Sequence, residues 1–254
     1  MGIYDLPSMI DYIKLKTKVE KITYFGHSQG TIQIFAAMSI IPEYFNLNLN
    51  GIIALGPVTT IANIGSNFLS LVAKTKLDYI LSYIGMNEFL PSINALNELI
   101  SILCYKLQIV CDGILDLVAD SNPGDDDQDK FDVFMGHFPS GTSIKDLMHF
   151  AQNIRNKNFA QFDYGTKENL VIYGKEVAPE YDLSKILNKV CLFVGKDDRL
   201  ATIADNRILR DKLSSIGKLV WYKEYDNMGH LTFLIPRDFT YNNDIKNCLV
   251  EFEK

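Results

Sequence analysis

The sequence has no apolar run approaching the about 18 residues that a membrane span requires. It has no Asn-x-Ser/Thr sequon and no Cys-x-x-Cys pair. Four cysteines, at positions 104, 111, 191 and 248, are too few for a disulfide scaffold. There is no basic excess: Lys plus Arg is 25, Asp plus Glu is 31, and the net charge is -6. A general nucleic-acid binder needs the opposite balance. No Gly-x-Gly-x-x-Gly or Walker pattern is present, so a phosphate cradle has little support. Gly at 16 and Pro at 8 exclude a collagen or a linker protein. Met1-Gly2-Ile3-Tyr4-Asp5-Leu6-Pro7 has neither a basic n-region nor an apolar h-region, which predicts no signal peptide. Without Ser or Thr at position 6 it is also a poor myristoylation start. Taken alone, these absences favour the cytosol.

What is there is a chain of 254 residues, 47% of them apolar. That is enough for a sizeable core in one large or two small domains. Residues 8–16 read as a helix, with Pro7 beside a Ser8 cap. Residues 21–25 are a short β-rich run, and residues 31–40 an apolar helix ended near Pro42. Residues 51–56 are apolar on both faces, as a central parallel strand should be. From residue 58 to about 120 the pattern is Leu, Ile and Tyr at helical spacing. It predicts helices over 70–84 and 92–109, then a polar loop over 120–130 and an amphipathic helix over 143–156. Strand signals return at 190–194 and 219–222, with helices expected at 203–213 and 244–252. Strands alternate with helices at both ends, and about 130 residues separate strands two and three. The fold class is α/β, a parallel sheet of about four strands with one long helical insertion.

Gly26-His27-Ser28-Gln29-Gly30 matches Gly-x-Ser-x-Gly between a strand and a helix. That turn is so tight that the serine takes strained backbone angles, and its hydroxyl is pushed out at the sheet edge. Small glycines on either side would let strand and helix approach. The alternative is an ordinary serine in a glycine-rich turn. A serine hydroxyl becomes a nucleophile only when a base takes its proton, so an oriented histidine must follow. In this architecture the chain order is serine, acid, histidine. Asp197 and Asp198 both follow the third strand; Asp198 sits far enough round the turn to reach inward, and Asp197 points to solvent or caps the next helix. His230, in Asn227-Met228-Gly229-His230-Leu231, follows the fourth strand. His27 lies inside the elbow, and His137 and His149 fall in the helical block as structural or pocket-wall residues. The backbone N–H of Gln29 is one expected oxyanion donor. No upstream His-Gly-type loop offers the second, because only 25 residues precede the elbow. Asp125-Asp126-Asp127-Gln128-Asp129 lacks the Gly and Glu of a calcium loop and reads as a solvated acidic loop.

With these residues in view, the chain resembles the acid lipases of the α/β-hydrolase superfamily, the gastric and lysosomal types. Tyr4-Asp5-Leu6-Pro7 with Ile10-Asp11-Tyr12-Ile13 looks like the helix before that family's elbow. Gly26-His27-Ser28-Gln29-Gly30-Thr31 and Ala54-Leu55-Gly56-Pro57-Val58 look like its nucleophile motif and next strand. Phe131-Asp132-Val133-Phe134, His137-Phe138-Pro139-Ser140-Gly141-Thr142-Ser143 and His149 resemble a distinctive cap segment. Asn158-Phe159, Gln161-Phe162-Asp163-Tyr164-Gly165 and Pro179, Tyr181-Asp182-Leu183 continue it. Asp198-Arg199-Leu200-Ala201 and Asn227 to Leu231 look like the acid and histidine motifs.

The resemblance implies Ser28 as nucleophile, Asp198 as orienting acid and His230 as base. It implies a core of residues 1–57 and 188–254, with residues 58–187 as a cap and lid over an acyl-chain pocket. It implies cleavage of acylglycerols or sterol esters at a lipid–water interface, without metal or cofactor, on the secretory or lysosomal route. It also marks departures. The family's first strands, signal peptide and second oxyanion loop have no counterpart, so a fragment is expected, with a short paralogue as the alternative. The elbow strand would then be an exposed apolar edge. Cys104 and Cys111 resemble two cap cysteines, with no partner cysteine near Ala95. Two other readings stay open: an inactive α/β-hydrolase paralogue that binds lipid or a partner, and a thioesterase or other non-lipase serine hydrolase.

Overall fold

The structure, a computed structural model, describes residues 1–107, 113, 118–120, 126–127, 130, 133–134, 136–138 and 140–254. Four strands form one parallel sheet: β1 (Ile22–His27), β2 (Leu49–Leu55), β5 (Val190–Gly195) and β6 (Leu219–Tyr225), in the order β1-β2-β5-β6. Two short strands, β3 (Glu88–Phe89) and β4 (Thr142–Ser143), pair antiparallel within the insertion. The expected α/β architecture is the one observed.

The central strands are apolar on both faces because both faces are covered. Ile52, Ala54, Val190 and Leu192 pack on one side, with Ile34, Phe35 and Met38 of the helix Gln29–Ile40 and Leu209 and Leu213 of the helix Ile203–Ser215. Ile53, Cys191 and Phe193 pack on the other, under Tyr241, Ile245 and Cys248 of the helix Tyr241–Glu253. This is the period-two alternation of a strand read out on two cores. Phe35, Phe45 and Phe193 are among the largest fully buried side chains, each stabilising by about 1.5–3 kcal/mol relative to exposure. A disulfide joins Cys191 of β5 to Cys248 of the last helix. β1 is an edge strand, and Phe25 on it is half exposed.

Several helix ends differ from expectation for local reasons. The first helix runs Asp5–Thr17, so Pro7 lies in its first turn, where a missing N–H costs nothing, and Ser8 is not its cap. Pro42 does not merely end one helix: it opens another, Pro42–Asn48. The helix expected over 70–84 is two, Asn67–Thr75 and Leu77–Tyr83, broken where Lys76 turns left-handed at φ 55°. The helix Asn94–Lys106 stands within the expected 92–109 range, whose end lies outside the described residues. The helix Ile144–Asn156 starts at Ser143, whose hydroxyl accepts from Asp146 N at 3.1 Å. Arg155 near its end donates to both oxygens of the buried Asp78 at 3.0 Å, fastening it to Leu77–Tyr83. The helix Thr166–Tyr173 was not anticipated; its apolar residues Leu170, Val171 and Ile172 run consecutively, are exposed, and carry no helical period. No helix among the described residues is long and apolar enough to cross a membrane.

Candidate active site

Ser28 stands between β1 and the helix Gln29–Ile40, at φ 52° and ψ -119°. An L-residue rarely occupies that region, and strain of this kind is stored where a side chain must be aimed. The turn is held from several sides. Thr31 Oγ1 donates to Ser28 O at 2.6 Å and accepts from Val58 N at 2.8 Å. Ser28 N donates to Leu55 O at 3.1 Å. The two flanking glycines are not equivalent. A Cβ on Gly26 would lie 2.8 Å from the Tyr24 ring and 3.1 Å from Gly30 C, so the close approach of strand and helix needs Gly26. A Cβ on Gly30 would meet only the Tyr24 hydroxyl, at an ordinary 3.5 Å.

Asp198 follows β5 and is buried. Its Oδ1 accepts from Leu200 N at 2.8 Å and Ala201 N at 2.6 Å. Its Oδ2 lies 2.7 Å from His230 Nδ1. Of the two adjacent aspartates, Asp198 is the one that meets the histidine. The next helix is capped by Thr202 rather than by Asp197. Gly56, at φ 52° beyond β2, lies against the pair, and a Cβ there would sit 3.2 Å from His230 Nδ1 and 3.3 Å from Asp198 Oδ2.

His230 lies in the loop after β6 and is buried. Burial pushes its imidazolium down, but the charge and hydrogen bond of Asp198, with the charge of Asp120, outweigh that and raise its pKa. Its Nε2 has no hydrogen-bond partner among the described residues. The structure therefore brings Asp198 and His230 into contact, while the link from His230 to Ser28 is not a formed hydrogen bond. Catalytic hydrogen bonds are often open before substrate binds.

Sequence reasoning missed three residues around this pair. His27 Nε2 lies 2.8 Å from His230 O, and the two rings sit 4.8 Å apart. Burial, then the charge of His230, lowers the His27 pKa to about 4, so its Nε2 is a neutral N–H donor to that carbonyl. Asp120 is fully buried, and its carboxylate accepts from His230 N and from Leu231 N. Asp126 is also fully buried, which corrects the reading of a solvated acidic loop. Its carboxylate accepts from Thr232 Oγ1 at 2.7 Å, and its carbonyl accepts from Arg237 Nε at 2.9 Å. The acidic segment thus fastens the histidine loop; a run of aspartates gives no signal of that. Asp125, Gln128 and Asp129 lie outside the described residues, as do Cys111, Phe131, Asp132 and Pro139 of the cap motifs. His137 is exposed, and His149 Nε2 donates to Ala160 O at 2.7 Å.

A cavity of about 330 Å³ opens at Ser28 and Gln29. Its walls are apolar, chiefly Val58, Phe68, Phe89, Leu147, Phe150 and Leu200. Size and lining suit an apolar chain.

The parallel sheet, the strained serine and the buried acid–histidine pair at the strand ends define an α/β-hydrolase fold. A soluble variant of Saccharomyces cerevisiae monoglyceride lipase shares it, with a TM-score of 0.58, 15% identity, and coverage of 98% of this chain and 69% of that one. The chain is 33% identical to rat gastric triacylglycerol lipase over 246 residues, 94% of this chain and 60% of that protein. It is 31% identical to human lysosomal acid lipase/cholesteryl ester hydrolase over 258 residues, 100% of this chain and 63% of that protein. No family model matches. The fold of this chain is that of the α/β-hydrolases, and its sequence is similar to those of the gastric and lysosomal acid lipases. It spans about 60% of the length of those curated relatives.

Proposed function

We propose that this chain is a serine ester hydrolase that cleaves acylglycerols or sterol esters through a Ser28 acyl-enzyme. The observation that carries the reading is the strained Ser28 opening into an apolar cavity, with the Asp198–His230 pair buried beside it. Ser28 Oγ attacks the ester carbonyl, and its proton passes to His230 Nε2. Asp198 holds the imidazole in the tautomer that presents Nε2 as the acceptor and stabilises the imidazolium that forms. The oxyanion is taken by the backbone N–H of Gln29, which heads its helix and has no acceptor within it. The alcohol leaves with the proton from His230, and water repeats the sequence to release the acid.

Residues 1–57 and 188–254 form the core and residues 58–187 the cap in this reading. Exposed Tyr83, Ile84, Leu90 and Ile93 on the cap suit contact with a lipid–water interface. The Cys191–Cys248 disulfide and the names of the relatives support a secretory or lysosomal route. The reading of an inactive paralogue draws on one observation, that His230 Nε2 has no partner among the described residues. Hydrolysis of triacylglycerol, cholesteryl ester, p-nitrophenyl ester and acyl thioester by the purified chain decides among the readings. Turnover of the oxygen esters with a pre-steady-state burst, lost in Ser28→Ala, supports the lipase; turnover confined to the thioester supports a thioesterase. Lipid binding without turnover supports the inactive form.

A further inference from the structure

Gln29 carries two jobs on one residue. Its backbone N–H is the candidate oxyanion donor, and its side chain reaches out of the core: Nε2 donates to Asp146 Oδ2 at 2.6 Å. Asp146 sits in the first turn of the helix Ile144–Asn156, 117 residues further along the chain. The same Oδ2 also accepts from Thr142 Oγ1 at 2.7 Å. The backbone N of Asp146 in turn donates to Ser143 Oγ. This carboxylate is therefore fixed by its own helix and strand before it meets Gln29. Gln29 and Asp146 also stand together in the walls of two cavities, the apolar one at Ser28 and a second of about 180 Å³ beside it.

We propose that Asp146 is a positioning residue for the oxyanion donor. By holding the Gln29 side chain, it fixes the direction of the Gln29 N–H at the strained elbow, and so ties oxyanion stabilisation to the seating of the inserted helices. The inference rests on the ester-hydrolase reading above and adds a residue to it. An oxyanion donor acts only if it is aimed at the transition-state oxygen, so a small rotation of residue 29 costs rate rather than binding.

Both side-chain bonds to Asp146 fall on one oxygen, so an asparagine with its carbonyl in that place keeps them both. Asp146→Asn is expected to keep the parent rate, whereas Asp146→Ala should lose about tenfold in kcat with KM little changed. Gln29→Ala keeps the backbone N–H and cuts the same link from the other side, so it should show the same loss. The double variant should be no worse than either single one, because both remove one interaction. The rate constant for fluorophosphonate labelling, measured per active site beside thermal unfolding, separates this role from simple loss of folded protein. If the parent labels at Ser28 and both alanine variants label at the parent rate, the inference fails and the hydrolase reading stands. Additive losses in the double variant, or an Asp146→Asn as slow as Asp146→Ala, also overturn it. A folded parent that does not label overturns both.

Discussion

Asp120 holds the backbone of His230: its carboxylate accepts from His230 N and from the next amide, Leu231 N. The histidine loop is thus gripped by a residue of the insertion as well as by Asp198 and His27. Gly229 leaves room for it, since a Cβ there would lie 2.4 Å from the Asp120 carboxylate.

The two hidden supports titrate in opposite senses. Burial raises Asp120 from 3.8 to about 6, and burial with the charge of His230 lowers His27 from 6.5 to about 4. Between pH 3.8 and 6 the folded chain holds a proton on Asp120 that the unfolded chain lacks, so that group makes stability fall as pH rises. Between pH 4 and 6.5 the unfolded chain holds a proton on His27 that the folded chain lacks, so that group makes stability rise with pH. In the parent the two slopes oppose each other. Asp120→Asn should leave stability climbing more steeply from pH 4 to 6, and His27→Gln should leave it falling. Urea unfolding at pH steps across that window reads the slopes; parallel curves for all three proteins would refute the assignment.

Asp198→Asn should lower kcat by a factor of about 10⁴ with the fold intact, because the imidazole is then held in the wrong tautomer. Stopped-flow hydrolysis of a p-nitrophenyl ester, with circular dichroism as the control, measures it. Unchanged turnover would move the orienting role elsewhere.

The glycines at the elbow should part company. Gly26→Ala forces an atom to within 2.8 Å of the Tyr24 ring and should cost about 1–3 kcal/mol. Gly30→Ala meets only the Tyr24 hydroxyl at 3.5 Å and sits in a helix, so it should be neutral or slightly stabilising. Chemical denaturation of the two variants checks the contrast.

Cutting the Cys191–Cys248 bridge should be expensive. The bond closes 57 residues between a central strand and the last helix, a loop whose cross-link contributes about 3–5 kcal/mol. Cys248→Ala should therefore lower the denaturation midpoint, as should a thiol reductant strong enough to reach this buried pair. A midpoint unmoved in both cases would mean that the bond does not form.

Much of this was legible in the sequence, and for definable reasons. Ser28, Asp198 and His230 are legible as candidates because the strand–turn–helix context of the elbow and the serine–acid–histidine order after successive strands are signals carried along the chain. The strands around Ile52, Ile53 and Leu192 are legible because burial on two faces leaves an unbroken apolar run. Relations that join distant segments by polar atoms leave no such trace. Asp120 and Asp126 stand in or beside an acidic run that reads as solvated, yet both are buried because Thr232 and the amides of His230 and Leu231 supply partners from over 100 residues away. Gln29 reads only as a backbone donor, and its side-chain partner Asp146 falls within the amphipathic helix expected over 143–156 with nothing to single it out. Lys76 reads as a helix interior, because nothing in its side chain signals the left-handed turn that splits the helix.

The central claim is that Ser28 is a nucleophile activated by the Asp198–His230 pair. Intact-mass analysis of the purified chain after fluorophosphonate treatment, beside Ser28→Ala and His230→Ala, tests it most directly. The account predicts one adduct on the parent, mapped to the peptide containing Ser28, none on Ser28→Ala, and labelling slowed by orders of magnitude on His230→Ala. A folded parent without an adduct, or one whose adduct persists in Ser28→Ala, would contradict it.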